Sequence, residues 1–248
     1  MAKSSGLGDN LYIDGVDVSG DIGSLGNIGG GPAALEMTGI NKSAIERRGG
    51  VRDGAIEFTS FFNPSEDETH DVLSMLPTAD RLVSYYRGTA AGGWAANLVA
   101  KQIGYDPTRG EDGALTLATQ AQANGYGLEW ARQLTAGKRS DTEATDGTSL
   151  DLGAASSFGL QAYVQVFSFT GTSVTIKLQG SSDDAAADAF ADITDGDFTA
   201  VTTAPTAERI QTARDAAIER YIRVVTTGTF TECTFAVSVA INKTAVTF

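Results

Sequence analysis

The chain is poor in the residue types that do covalent chemistry. It holds one histidine, His70, and one cysteine, Cys233, among 248 residues. His70 stands beside Asp71 in a predicted helix. The nearby serines, Ser65 and Ser74, are read as a cap and a helix-surface residue, so no nucleophile is set against it. Two Cys or His side chains in the whole chain are too few for a zinc site. Cys233 lies in the alternating run TFTECTFAVSV and reads as a small buried residue, and a lone cysteine excludes an intrachain disulfide. Asp9, Asp14, Asp17 and Asp21 sit on a Gly-rich stretch and have the oxygen chemistry of a Ca²⁺ site. Their spacing does not fit an EF-hand and no Glu closes the loop, so turn-forming Asp is the plainer reading. Gly137-Lys138-Arg139-Ser140 lacks both the upstream Gly and the hydroxyl after Lys that a P-loop needs. The glycines of Gly26–Gly31 run into Pro32 with no helix behind them, and read as a flexible loop rather than a dinucleotide turn. No acid pair stands out for glycoside hydrolysis. Trp94 and Trp130 are read as core or interface residues before a sugar platform. The expectation is a protein without catalytic, metal or cofactor sites.

The elements that would hold these residues are nearly all strands. The formal charge is −13 with the acids spread over both halves, which argues solubility and against a basic surface for sequence-specific nucleic-acid binding. Twenty-nine glycines and five prolines suit many short strands and tight turns. No run is long and apolar enough to span a bilayer. The first residues lack the apolar stretch of a secretory leader, so synthesis in a cytoplasm is expected and the sequons at Asn41 and Asn242 carry no weight. Residues 1–8 read as an arm, and 9–31 as a strand followed by a long loop. Residues 39–53, polar and carrying Lys42, Glu46, Arg47, Arg48, Arg52 and Asp53, read as a long charged loop or hairpin. Ile56, Phe58, Ser60 and Phe62 alternate on one face of a strand. Ser65 with Glu68 forms a predicted capping box for one helix over 65–76, with Val72, Leu73, Met75 and Leu76 as its buried stripe and Pro77 as its stop. Strands at 82–87, 94–103, 114–122 and 126–132 follow, with a turn at 110–113. Residues 138–149 read as a linker. Beyond it, Leu160–Val166 and Val174–Leu178 alternate on either side of a turn at Gly171, residues 181–198 form a loop, and 206–221 read as two strands about Arg214-Asp215 rather than a helix.

The stretches NLYIDGVDVSGDIGSLGNI, SEDETHDVLSMLPTADRLVSYYRGT and KQIGYDPTRGEDGAL resemble the major tail proteins (tail tube proteins) of long-tailed, siphovirus-type bacteriophages infecting actinobacteria. The resemblance covers roughly residues 9–140. It implies a β-sandwich or barrel flanked by one α-helix over 1–137, with 1–31 as an N-terminal arm and 39–53 as a loop reaching a neighbouring subunit. Residues 150–248 resemble, more loosely, the accessory β-sandwich domains appended to phage structural proteins. Such a domain would sit outside a tube. The implied function is that of a virion component in which hexameric rings stack into a tube with an acidic lumen for double-stranded DNA, alongside tape measure and terminator proteins. Lys42, Glu46, Arg47, Arg48, Arg52 and Asp53 would then make inter-subunit contacts. The alternative is a decoration or receptor-binding protein whose second half binds cell-surface glycans, although that half contains no Trp.

Overall fold

The computed structural model describes residues 5–75 and 79–245. The strands are β1 (Asn10–Ile13), β2 (Val16–Asp17), β3 (Ile22–Glu36), β4 (Arg47–Phe61), β5 (Arg81–Tyr86), β6 (Trp94–Arg109), β7 (Leu115–Ala123), β8 (Glu129–Gln133), β9 (Arg139–Asp141), β10 (Leu150–Asp151), β11 (Leu160–Ser181), β12 (Ala191–Asp197), β13 (Thr206–Gln211) and β14 (Tyr221–Ile241). The one α-helix among the described residues, α1 (Thr69–Ser74), lies between β4 and β5. The fold is therefore mainly β, as the alternation predicts.

The compact units are not the two consecutive halves expected from the sequence. One gathers the described residues of Met1–Gly20, Ser84–Asn97 and Trp130–Phe248; the other takes Asp21–Val83 and Leu98–Glu129. Boundaries fall inside β5, β6 and β8, and the reason lies in long-range pairing that composition does not reveal.

In the first unit β11 and β14 form a two-stranded antiparallel ribbon from Leu160↔Ile241 to Ser181↔Tyr221. The predicted turn at Gly171 is instead a pair of bulges within one strand. Bulges bend a ribbon and increase its twist, and both halves of this one feed a single core: Leu160, Val164, Val166, Val174, Ile176, Leu178, Val224, Phe235 and Val237. The mixed face of β11 is covered as well. Tyr163 and Gln165 are buried, and Gln165 accepts from the Gly15 N–H (2.5 Å) and donates to Ser84 Oγ (3.0 Å).

The predicted N-terminal arm is part of this packing. Leu11, Tyr12, Ile13, Val16 and Val18 are all buried, and the Tyr12 ring lies against Tyr86 and Phe167. Asp14-Gly15 makes the two-residue turn between β1 and β2, both with positive φ, the turn type that matches strand twist. Gly15 has no substitute here. A Cβ on it would stand 2.3 Å from Val166 O and 2.6 Å from Thr206 N, at φ +83°. Gly15→Ala is expected to destabilise the chain by about 3–4 kcal/mol, from left-handed strain plus a clash with backbone that cannot rotate away. Denaturant unfolding measures it; a loss under about 1 kcal/mol contradicts the packing described.

Residues 138–149, the expected linker, lie along β14. Arg139, Ser140 and Asp141 pair with Phe235, Thr234 and Cys233, and Leu150-Asp151 pairs with Ile222 and Tyr221. Asp141 is buried, chelated by Arg139 through two bonds of 2.8 and 2.7 Å, and accepts from Thr226 Oγ1 at 2.7 Å. Polar, small-residue composition thus marks an ordered strap rather than a free connection. The strand reading of 206–221 holds at β13, which pairs with β11 from Gln161↔Gln211 to Val166↔Thr206. Within the expected loop 181–198, β12 is a strand.

The second unit contains an antiparallel sheet in the order β3-β4-β7-β6. Ile56, Phe58, Ser60, Leu117 and Ala121 fill one face, with Leu73 of α1. The helix is shorter than predicted and is not closed by a capping box. Its N-cap is Glu68, which makes no side-chain cap bond. Asp21, 48 residues upstream, does that work: its carboxylate accepts from Thr69 N–H (3.3 Å), Thr69 Oγ1 (3.0 Å) and Asn63 Nδ2 (3.1 Å). Val72 is half-buried and Met75 exposed, so the buried stripe narrows to Thr69 and Leu73. The expected end at Leu76-Pro77 lies outside the described residues.

Burial alone would raise the Asp21 carboxyl. The hydrogen bonds from Asn63 and Thr69 outweigh it, so the carboxyl titrates below its ordinary value. A depressed folded value gives stability that is complete above the unfolded carboxylate value of ~3.9 and fades as pH falls through the folded one. Asp21→Ala is accordingly expected to cost about 2 kcal/mol at pH 7. The gap from wild type should narrow in unfolding curves taken below about pH 4; a gap independent of pH contradicts the role given to Asp21.

Candidate assembly surface

The residues predicted to meet neighbouring subunits lie on one element, the hairpin of β3 and β4. Its register runs Gly31↔Asp53, Pro32↔Arg52, Ala34↔Gly49, Leu35↔Arg48 and Glu36↔Arg47. The predicted long loop is therefore shorter than 39–53, because residues 47–53 are strand. The Gly26–Gly31 stretch, read as a flexible loop, is strand as well. Its glycines serve close packing of the two strands: a Cβ on Gly30 would stand 2.3 Å from Asp53 O. The tip is closed by Met37 N–H to Glu46 O (2.9 Å) and Glu46 N–H to Thr38 Oγ1 (3.1 Å).

Four of the six predicted contact residues already have partners in their own chain. Lys42 pairs with Glu46 at 2.9 Å across the tip. Arg52 lies 3.9 Å from the buried Glu129 carboxylate. Asp53 accepts from Gly54 N–H (2.7 Å) and from Gln122 Nε2 (3.3 Å). Arg47 and Arg48 are exposed, and their guanidinium groups make no hydrogen bond or ion pair among the described residues.

Sequence reading missed the apolar half of this surface. Leu35, Met37, Ile40, Ile45 and Val51 are all exposed, Val51 at 84%. A run of exposed large apolar side chains on one projecting element marks a contact surface rather than scatter. In the sequence these apolar residues are interleaved with charged ones, which gives the segment the look of a polar loop. Pairing was missed too. Among the described residues β3 pairs with β4 alone, so a 15-residue strand has one border of backbone N–H and C=O groups unmatched.

The face of the sheet away from Leu73 is polar. Glu57 accepts from Gln120 (3.1 Å), and Asp53 and Gln122 lie on the same side. Lys101 is paired with Asp80 at 2.8 Å.

The remaining candidates for chemistry have structural duties. The His70 ring hydrogen-bonds the Tyr105 hydroxyl through Nδ1, which clamps α1 to β6, and its centre lies 4.4 Å from that of the tilted Phe62 ring. Asp9 accepts from the Tyr85 hydroxyl and the Gly88 N–H. Asp17 pairs with Lys138 at 2.6 Å. With Asp21 bound to Thr69, these acids do not converge, and the described residues hold no group of three acids, His or Cys placed for a metal. Cys233 is fully buried; burial, then the charges of Asp141 and Glu232, push its thiol up to about 12, so it stays protonated and unreactive at neutral pH. Trp94 and Trp130 are not core residues, being 48% and 50% exposed.

No protein-family model matches the chain, and no curated protein matches it significantly. Among solved structures, the Dit protein of phage SPP1, described as a paradigm of the hub adsorption apparatus of phages infecting Gram-positive hosts, aligns over 94% of this chain and 98% of its own, with 11% identity and a TM-score of 0.32. The phage p2 baseplate in its activated conformation contributes two alignments. The structure with Sr covers 96% of this chain and 99% of the other at 9% identity and a TM-score of 0.37. The structure with Ca gives the same coverage at 10% identity and 0.36. Alignments this loose do not amount to a shared fold.

Proposed function

We propose that the chain is a structural subunit of a bacteriophage tail, assembling with copies of itself into hexameric rings that stack into a tube for DNA. One observation carries this reading: a projecting hairpin has an unmatched strand border, a row of exposed apolar side chains and two arginines without partners. The unmatched border and the apolar row make a lone molecule prone to association and are satisfied when a neighbour's strand and side chains cover them, while the two solvated arginines are left available to a neighbour's carboxylates. The sequence resemblance supplies the kind of neighbour, a copy of the same chain. The polar sheet face carrying Asp53 and Glu57 would then line the lumen, where carboxylates repel the phosphate backbone and let DNA slide. Tape measure and terminator proteins would contact such a tube within it and at its end. Negative-stain microscopy of the purified chain tests the reading. Rings or tubes are the expected result, and a monodisperse single chain at high concentration overturns it.

A further inference from the structure

A cleft of about 760 Å³ opens in the first unit, inside the ~300–1,000 Å³ range of small-molecule sites. Trp94 of β6 and Trp130 of β8 line it together with Arg132, Asp151, Phe158 and Lys243. The local fold explains why both indoles are there. Gln133 N–H donates to Gly93 O (2.9 Å) and Gly92 N–H to Gln133 O (2.8 Å), which sets Arg132 beside Trp94. Alternation along β8 buries Glu129, Ala131 and Gln133 and turns Trp130 and Arg132 outward together.

We propose that this cleft binds neutral saccharides, through the indoles of Trp94 and Trp130 and the fixed polar groups at its rim. The Arg132 guanidinium is held by Gly92 O (2.7 Å) and lies over one face of the Trp94 ring, 4.1 Å from its centre, so that indole is fixed in orientation with a donor group set against it, and a ligand has its other face and the Trp130 ring to lie on. The Asp151 carboxylate is immobilised by Arg220 through two 2.7 Å bonds and by Gly153 N–H at 2.8 Å. A pyranose has an apolar C–H face and a rim of hydroxyls. Laid on an indole it buries apolar area on both partners while its hydroxyls meet Arg132, Asp151 and Lys243 at the edge. Binding such a ligand requires rigid aromatic surface with preset donors and acceptors, and the cleft has both. Single-stranded nucleic acid also stacks on aromatics but requires a basic groove, and the chain carries a net charge of −13. A peptide anchored by apolar side chains would leave the charges at the rim unmatched. The half beyond residue 150 has no tryptophan of its own, but the fold brings both tryptophans of the chain into its unit.

This proposal does not depend on tube assembly, and it is tested on the unassembled full-length chain. Because the chain has only these two tryptophans, their intrinsic emission reports the cleft directly. Titration with cellotriose, maltotriose, chitotriose and galactobiose is expected to give a saturable change with at least one of them, at about millimolar affinity. Trp130→Ala should weaken that binding at least ~tenfold, Trp130→Phe should retain most of it, and the Tm of both should match wild type, since the ring is half exposed. Saturation by none of the four overturns the proposal. So does binding that Trp130→Ala leaves unchanged, or saturation only by a proline-rich peptide or a sulfated oligosaccharide.

Discussion

Deleting residues 150–248 is expected to abolish folding of the first unit, not to shed a dispensable outer domain. The sequence places a linker before residue 150, and on that reading the remainder would fold and assemble alone. The structure distributes the unit differently. β14 is the pairing partner of β8, β9 and β10 as well as β11. Asn97 Nδ2 donates to Ser238 Oγ at 3.0 Å, and the cluster of Tyr12, Tyr86, Ala95 and Ala131 closes on Ala236 and Phe167. Truncation would expose Leu11, Tyr12, Ile13, Val18 and Tyr86, all now buried. At about 1.5–3 kcal/mol for each large side chain, the loss is as large as the whole ~5–15 kcal/mol that holds a domain folded. The truncated chain should be poorly soluble, and limited proteolysis should cut it within residues 5–20 and 84–97. A soluble fragment with a cooperative transition and protected N-terminal residues would refute the discontinuous unit.

The contrast shows which parts of a β protein are legible in one dimension. Alternation locates β5, β7 and β8 to within a few residues, because side-chain facing is a local property with period two. The GEDG turn was legible for the same reason, and the structure closes it with Gly113 N–H to Gly110 O at 3.1 Å. Partner choice is not local. Nothing between Asn10 and Val18 says that these residues face a strand 150 positions away, and the glycines with Asn27 lower the strand expectation for 22–31 because they are weak strand formers in isolation. The ribbon register over 15 residues of β3 overrides that preference. The helix shows the same limit. Ser65 and Glu68 have the right types and spacing for a capping box, yet a carboxylate from a distant turn takes the free N–H. The assembly surface was half legible: its charges could be read from the sequence, whereas the apolar exposure and the unmatched border required the sheet order. Of the two places the sequence offers the tryptophans, core or interface, the structure removes the core, because the alternation of β8 and its pairing with β6 leave both half exposed.

Reversing the charge of Arg47 and Arg48 together is expected to block assembly and leave the subunit folded. Both residues are exposed in β4 and have no side-chain partner within the described chain. The intramolecular cost is small. Glu at 47 would stand opposite Glu36, a like-charge pair worth a few tenths of a kcal/mol to about 1 kcal/mol on an exposed hairpin, which lowers Tm by only a few degrees in a chain of this size. The intermolecular cost is larger, since juxtaposed like charges at an interface cost several kcal/mol and the same contact recurs at every subunit of a closed ring. Arg52 serves as the internal comparison. It is tied to Glu129, so Arg52→Glu alone would strain the monomer by setting two carboxylates together, and its Tm should fall more than that of the double variant. The decisive readout is microscopy with a thermal melt on the same sample. A folded Arg47→Glu/Arg48→Glu chain that yields no rings places assembly on the hairpin. Normal tubes from that chain would show that the free guanidinium groups face solvent in the assembled state, and the union of subunits would then have to rest on the strand border and the apolar row alone.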